Sequence, residues 1–80
     1  MSYSEVSPGR AKAVVVEWLD ITGSSGDPGL TRRWTLGYLL SSTYTSEGRE
    51  CTVLGNTWDE DGWTDTSTFP NSIIVGVEKA

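Results

Sequence analysis

"AKAVVVEWLDI", residues 11–21, is the stretch on which the fold turns. Ala11, Val14, Trp18 and Ile21 fit the stripe of an amphipathic helix, whereas Val14, Val16 and Trp18 set against Val15, Glu17 and Leu19 fit a strand. Three consecutive valines decide between them. β-Branched side chains lose rotamer freedom against a preceding helical turn and pack well on a pleated surface. No capping residue pattern opens the stretch and glycines flank it, so it reads as a strand, with Glu17 marking the wetter face.

Outward from there the pattern stays β. "TGSSGDPGL", residues 22–30, is dense in glycine and proline and reads as a loop; no Lys-Ser/Thr pair follows to make it a phosphate cradle. "RRWTLGYLLSSTY", residues 32–44, alternates Trp34, Leu36, Tyr38 and Leu40 against Thr35, Gly37, Leu39 and Ser41, a long strand expected to bend at Gly37. "TSEGRE" turns the chain into "CTVLGNTWD", which places Leu54 and Trp58 on one face and Cys51 and Val53 on the other. Asp61-Gly62 then signals a tight hairpin, because glycine supplies the positive φ of the reversal. "FPNS" ends the fourth strand at Pro70, which cannot donate to a ladder, and "IIVGVEKA" forms the last. The expectation is one domain, residues 11–80, folded as a small five-stranded all-β barrel. It is preceded by a flexible, frayed polar leader, residues 1–10, with room to tuck against the barrel and a turn at Pro8-Gly9.

The order of strand, glycine-rich loop, bent strand, hairpin and "FPNSII" break resembles SH3-like and Sm-like barrels. In those, an apolar-Pro-x-x segment makes a 3₁₀ turn before the last strand. The likeness rests on Phe69, Pro70, Asn71, Ser72 and Ile73, with Asp61-Gly62-Trp63 a weaker echo. The Ala-Leu-Tyr-Asp-Tyr opening of signalling SH3 domains is missing, so their proline-rich peptide groove is not implied. "VVVEWLDI", "LGYLL", "TWDEDG" and "FPNSII" are also similar in layout to small accessory barrel proteins of tailed bacteriophages. That resemblance implies a non-enzymatic protein acting on a host protein in the host cytoplasm.

Composition narrows the function classes. Eleven acids against six bases give a net charge of −5, and Arg32-Arg33 is the only adjacent pair of bases, so direct nucleic-acid binding is disfavoured. Without histidine, Cys51 lacks a general base, and in mid-strand it reads as a packed side chain; Asp59 and Asp61 at an exposed tip read as solvated carboxylates. Aligned as a calcium loop on Gly62, the chain puts Thr57 and Thr68 at the end positions, where carboxylates belong, so no metal is expected. No cofactor is expected either. The opening residues lack a signal-peptide run and no segment is long and apolar enough to span a bilayer, which favours a cytoplasmic protein without membrane partners. A domain of 80 residues with one cysteine has no disulfide staple, and self-association is the expected source of added stability.

Four tryptophans remain to be placed. Trp18 and Trp34 lie within apolar alternation and are expected in the core. Trp58 and Trp63 flank the acidic tip, where they either clamp the hairpin or form a contact surface with Asp59 and Asp61 for a host protein or another copy of the chain. The alternative is an oligomeric sponge for a small nucleotide signal, as in phage counter-defence, with Arg32 and Arg33 on phosphate and Trp34 or Tyr44 stacked on a base.

Overall fold

A computed structural model describes residues 6–24 and 27–80, with the side chains of residues 21–28 left out of the description. The chain forms β1 (Lys12–Ser24), β2 (Asp27–Ser46), β3 (Arg49–Asp59), β4 (Gly62–Pro70), a 3₁₀ turn (Asn71–Ile73) and β5 (Ile74–Lys79). All pairings are antiparallel, in the order β4-β3-β2-β1-β5, so the first four strands meander and the fifth returns to the far side of β1. The sheet is open, since its edge strands β4 and β5 are not hydrogen-bonded neighbours. No helix among the described residues is long and apolar enough to cross a membrane.

Chain reach dictates how the sheet is shaped. In a flat sheet β4 and β5 would lie four strand spacings apart, about 19 Å. Pro70 and Ile74 are joined through only three residues, a span of at most about 14 Å even if fully extended. The sheet therefore curls, bringing its two edges together at this end. Trp18 and Phe69 confirm the curl: they lie on strands three positions apart, about 14 Å in a flat sheet, yet their ring centroids are 5.1 Å apart. Asn71 fastens the turn across the curl. It accepts a hydrogen bond from Thr52 Oγ1 on β3 at 2.6 Å and donates one to the Ser42 carbonyl on β2 at 3.0 Å.

The concave face holds the core: Val14, Val16, Leu54 and Phe69, with Trp18, Leu39, Ile73 and Ile74 packed against them. Space there is short. A Cβ on Gly37 would lie 3.0 Å from the Leu54 Cβ, and the neighbouring Thr35 hydroxyl accepts a hydrogen bond from the Trp18 indole at 2.9 Å. Only small residues fit at these β2 positions, so the strand turns Thr35, Gly37 and Leu39 inward and its larger residues outward.

That orientation corrects three expectations. Trp34 is not core but 62% exposed, as is Leu36. Gly37 is present for close approach, while the register irregularities of β2 come later, between Leu39 and Ser41 and between Ser41 and Tyr44. The expected loop over residues 22–30 is largely a continuation of the β1/β2 hairpin, with Thr22 opposite Gly29, Gly23 opposite Pro28 and Ser24 opposite Asp27; its tip, residues 25–26, lies outside the described residues. Proline is tolerated there because β2 at that point has a neighbour on one side only. This outgrowing ribbon accounts for a molecule 46 Å long and 28 × 19 Å across.

The other turns follow their residues. Glu47 and Gly48 both have positive φ, 52° and 77°, the paired left-handed geometry of a two-residue hairpin between Ser46 and Arg49. The β3/β4 reversal falls one residue earlier than the Asp61-Gly62 signal places it: Glu60 and Asp61 make the turn, and Gly62, at φ 106°, opens β4.

Native domains hold roughly 0.05–0.15 kcal/mol per residue, or about 4–12 kcal/mol for this length. Phe69→Ala is expected to remove about 3–5 kcal/mol of that and to shift Trp18 emission to longer wavelength. A loss below about 1 kcal/mol in chemical denaturation, the range of surface changes, would show that the concave face is not the core.

Candidate functional site

The β3/β4 hairpin brings Trp58, Asp59, Asp61 and Trp63 to one tip. Asp59 pairs with Gly62 and Trp58 with Trp63 across the ladder, leaving Glu60 and Asp61 as the turn. Asp59 Oδ1 accepts the Asp61 backbone N–H at 2.8 Å, so this carboxylate shapes the turn while remaining exposed. Three consecutive acids, Asp59, Glu60 and Asp61, thus face solvent beside an indole. Thr57 and Thr68, the end positions of the calcium-loop alignment, lie on opposite strands of the hairpin.

The two indoles have different environments. Trp63 is half-buried, its ring lying directly over Gly55, where an added Cβ would come within 2.4–2.7 Å of three ring carbons. Tyr38 lies at 5.8 Å on one side and Trp58 at 5.1 Å on the other, the latter edge to face. Trp63 Nε1 donates to the Val6 carbonyl at 2.6 Å. Residues 6–10 of the expected leader therefore tuck against the sheet, held by this bond and by a turn in which Arg10 and Ala11 donate to the Ser7 carbonyl; residues 1–5 lie outside the described residues. Trp58 has no such anchor in the described contacts and stays 40% exposed.

Simple alternation places Trp58 on the face of Leu54, but the structure does not. Register shifts between Gly55 and Thr57 and between Thr57 and Trp58 carry Trp58 round to join Trp63 and Tyr38 over Gly55. Sequence reasoning missed Tyr38 and Val6 as partners of this cluster. The available signal was Gly55, a glycine inside a strand, which marks close approach by another group.

The alternative ligand residues are not gathered. Successive strand residues point to opposite faces, so Arg32 and Arg33 diverge. Arg33 Nε donates to Asp20 Oδ2 at 2.6 Å, and Arg32 Nη1 lies 3.3 Å from Glu17 Oε2. That glutamate oxygen is shielded from water and has no hydrogen bond, so the guanidinium is its electrostatic partner without aligned donation. Trp34 shares the Arg32 face, and Tyr44 sits ten residues further along β2, opposite Cys51. Within one chain these four cannot surround one nucleotide. Cys51 itself is buried, its Sγ 3.6 Å from the Arg49 carbonyl. Among the described residues, no cluster of three or more His, Cys, Asp or Glu could hold a metal ion.

No protein-family model matches the chain, and no significant match was found among curated proteins or solved structures.

The two indoles should separate in mutagenesis. Trp63→Ala is expected to lower stability by about 2–4 kcal/mol and to release the N-terminal segment, seen as faster proteolysis near Val6. Trp58→Ala should cost less than about 1 kcal/mol. Equal losses in urea melts would overturn this division.

Proposed function

We propose that this protein is a non-enzymatic protein-binding module built on a small SH3-like barrel. The four-strand meander, the Asn71–Ile73 turn and the return of β5 to β1 support that architecture. A curl tight enough to set Trp18 on Phe69 supports it further. The binding reading is carried by one observation: Trp58 packs edge to face on Trp63, yet stays substantially exposed beside three carboxylates.

Such an arrangement suits a basic protein surface. An indole on a pre-ordered support loses little freedom on binding, and the acids steer a cationic partner and fix its orientation. Trp63 and Tyr38 act behind Trp58 as its support. The resemblance in layout to phage accessory barrels implies a host cytoplasmic protein, disabled by occupation of its basic surface, as the partner to seek.

Immobilised protein exposed to a bacterial lysate should retain a specific partner. With that partner purified, Trp58→Ala is expected to weaken binding by 2 kcal/mol or more, about thirtyfold, without unfolding the module. Asp59→Asn with Asp61→Asn should slow association and flatten its salt dependence. A partner retained equally by Trp58→Ala would place the contact surface elsewhere.

A further inference from the structure

Beyond the hairpin tip, the outgrowing β1/β2 ribbon carries a second surface. Pairing between β2 and β3 ends at Tyr38 opposite Gly55, whereas β2 runs back to Asp27. Over residues 27–37 the strand has β1 on one side, and among the described residues no strand on the other. The Leu36 carbonyl points to this open side, where it accepts from Asn56 Nδ2 at 3.0 Å. Strand alternation directs the backbone groups of Leu30, Arg32 and Trp34 to the same side. Residues 29–34 are all exposed, with Leu30 at 65% and Trp34 at 62%. An edge with unpaired amides and large apolar side chains is a template for another strand.

What that strand is can be read from the edge itself. Residues 30–36 are Leu-Thr-Arg-Arg-Trp-Thr-Leu, which reads nearly the same in both directions about Arg33. Two-fold pairing of identical surfaces requires this self-complementarity. We propose that two copies of the chain pair antiparallel through this edge, about a two-fold axis at Arg33, joining their sheets. Leu30 then meets Leu36 of the second copy and Arg32 meets its Trp34, all on the outer face; Thr31 meets Thr35 on the other face. Among the backbone groups aimed at the open side, those of Arg32 and Trp34 are set opposite one another as hydrogen-bonded pairs by this register. The Leu36 carbonyl already accepts from Asn56 and would reach Leu30 of the second copy only by sharing that acceptor.

Charge agrees with the register. Arginines on an edge ordinarily keep strands apart, but here Arg32 lies against Glu17 and Arg33 against Asp20 within each copy. Two such edges meet without net like-charge repulsion, and each Arg32 guanidinium gains an indole face. The ribbon gains as well, because a two-stranded hairpin in water is marginal until another element covers it.

Sedimentation equilibrium of the full chain, from about 1 μM to about 1 mM, brackets a weak association. Reversible conversion from an 8.7 kDa species to one of twice that mass is expected. Trp34→Lys sets a lysine opposite Arg32 of the second copy and should raise the dissociation constant by at least about thirtyfold. Trp34→Glu sets a carboxylate there and should retain the dimer. Circular dichroism verifies that both variants keep the β fold. In the wild type, the Arg32 and Trp34 amides should exchange slowly in the dimer and quickly on dilution. A monomer throughout the range, a dimer indifferent to Trp34→Lys, or edge amides that exchange freely in the dimer would each overturn the proposal. If both Trp34 variants unfold, amide exchange in the wild type decides alone.

Discussion

The three-residue connection between β4 and β5 is the constraint from which the rest of the structure follows. Two strands at opposite edges of a five-stranded sheet cannot be joined by so short a link unless the sheet rolls up. Rolling creates an inside where a single sheet would have none, and Val14, Val16, Leu54 and Phe69 fill it. The Trp18–Phe69 contact and the two hydrogen bonds of Asn71 lie where the roll is tightest. Pro70 contributes by ending the β4 ladder at the point where the chain must leave it.

A tightly rolled sheet has unequal faces. Its concave side accepts Gly37 and Thr35 from β2, and the larger Leu30, Trp34 and Leu36 are displaced to the convex side. The same strand outruns its neighbour β3 and carries that apolar row onto a two-stranded ribbon. The features that make this protein a candidate for association thus arise from how little room the core has.

At the other hairpin the division of labour is between two adjacent rings. Trp63 fills the place over Gly55 and holds the Val6 carbonyl, so it ties the N-terminal segment to the sheet. Trp58 rests edge-on against it and faces outward with the acids of the turn. An indole on such a support has few conformations left to lose.

By itself the sequence determined the local events. Valine-rich alternation specified β1, Glu47-Gly48 specified a tight reversal through left-handed backbone geometry, Gly62 supplied the positive φ next to the Glu60-Asp61 turn, and "FPNS" specified where β4 ends. It also brought Trp58, Asp59, Asp61 and Trp63 together, because residues flanking a two-residue turn are neighbours whatever the rest of the chain does. Tertiary structure alone decided which face of β2 is inside, since Trp34 and Leu36 alternate as a buried face would and yield only to the close approach of Leu54 and Trp18. It also carried Trp58 to the face of Tyr38, through register shifts that no period-two pattern records. The glycine-rich segment 22–30 reads as loop from its composition, yet residues 22–24 and 27–30 are held extended, because β1 and β2 stay in register and each strand supplies the other's hydrogen bonds. Local rules govern backbone geometry over a few residues; the choice of face depends on volumes that meet only when the sheet curls.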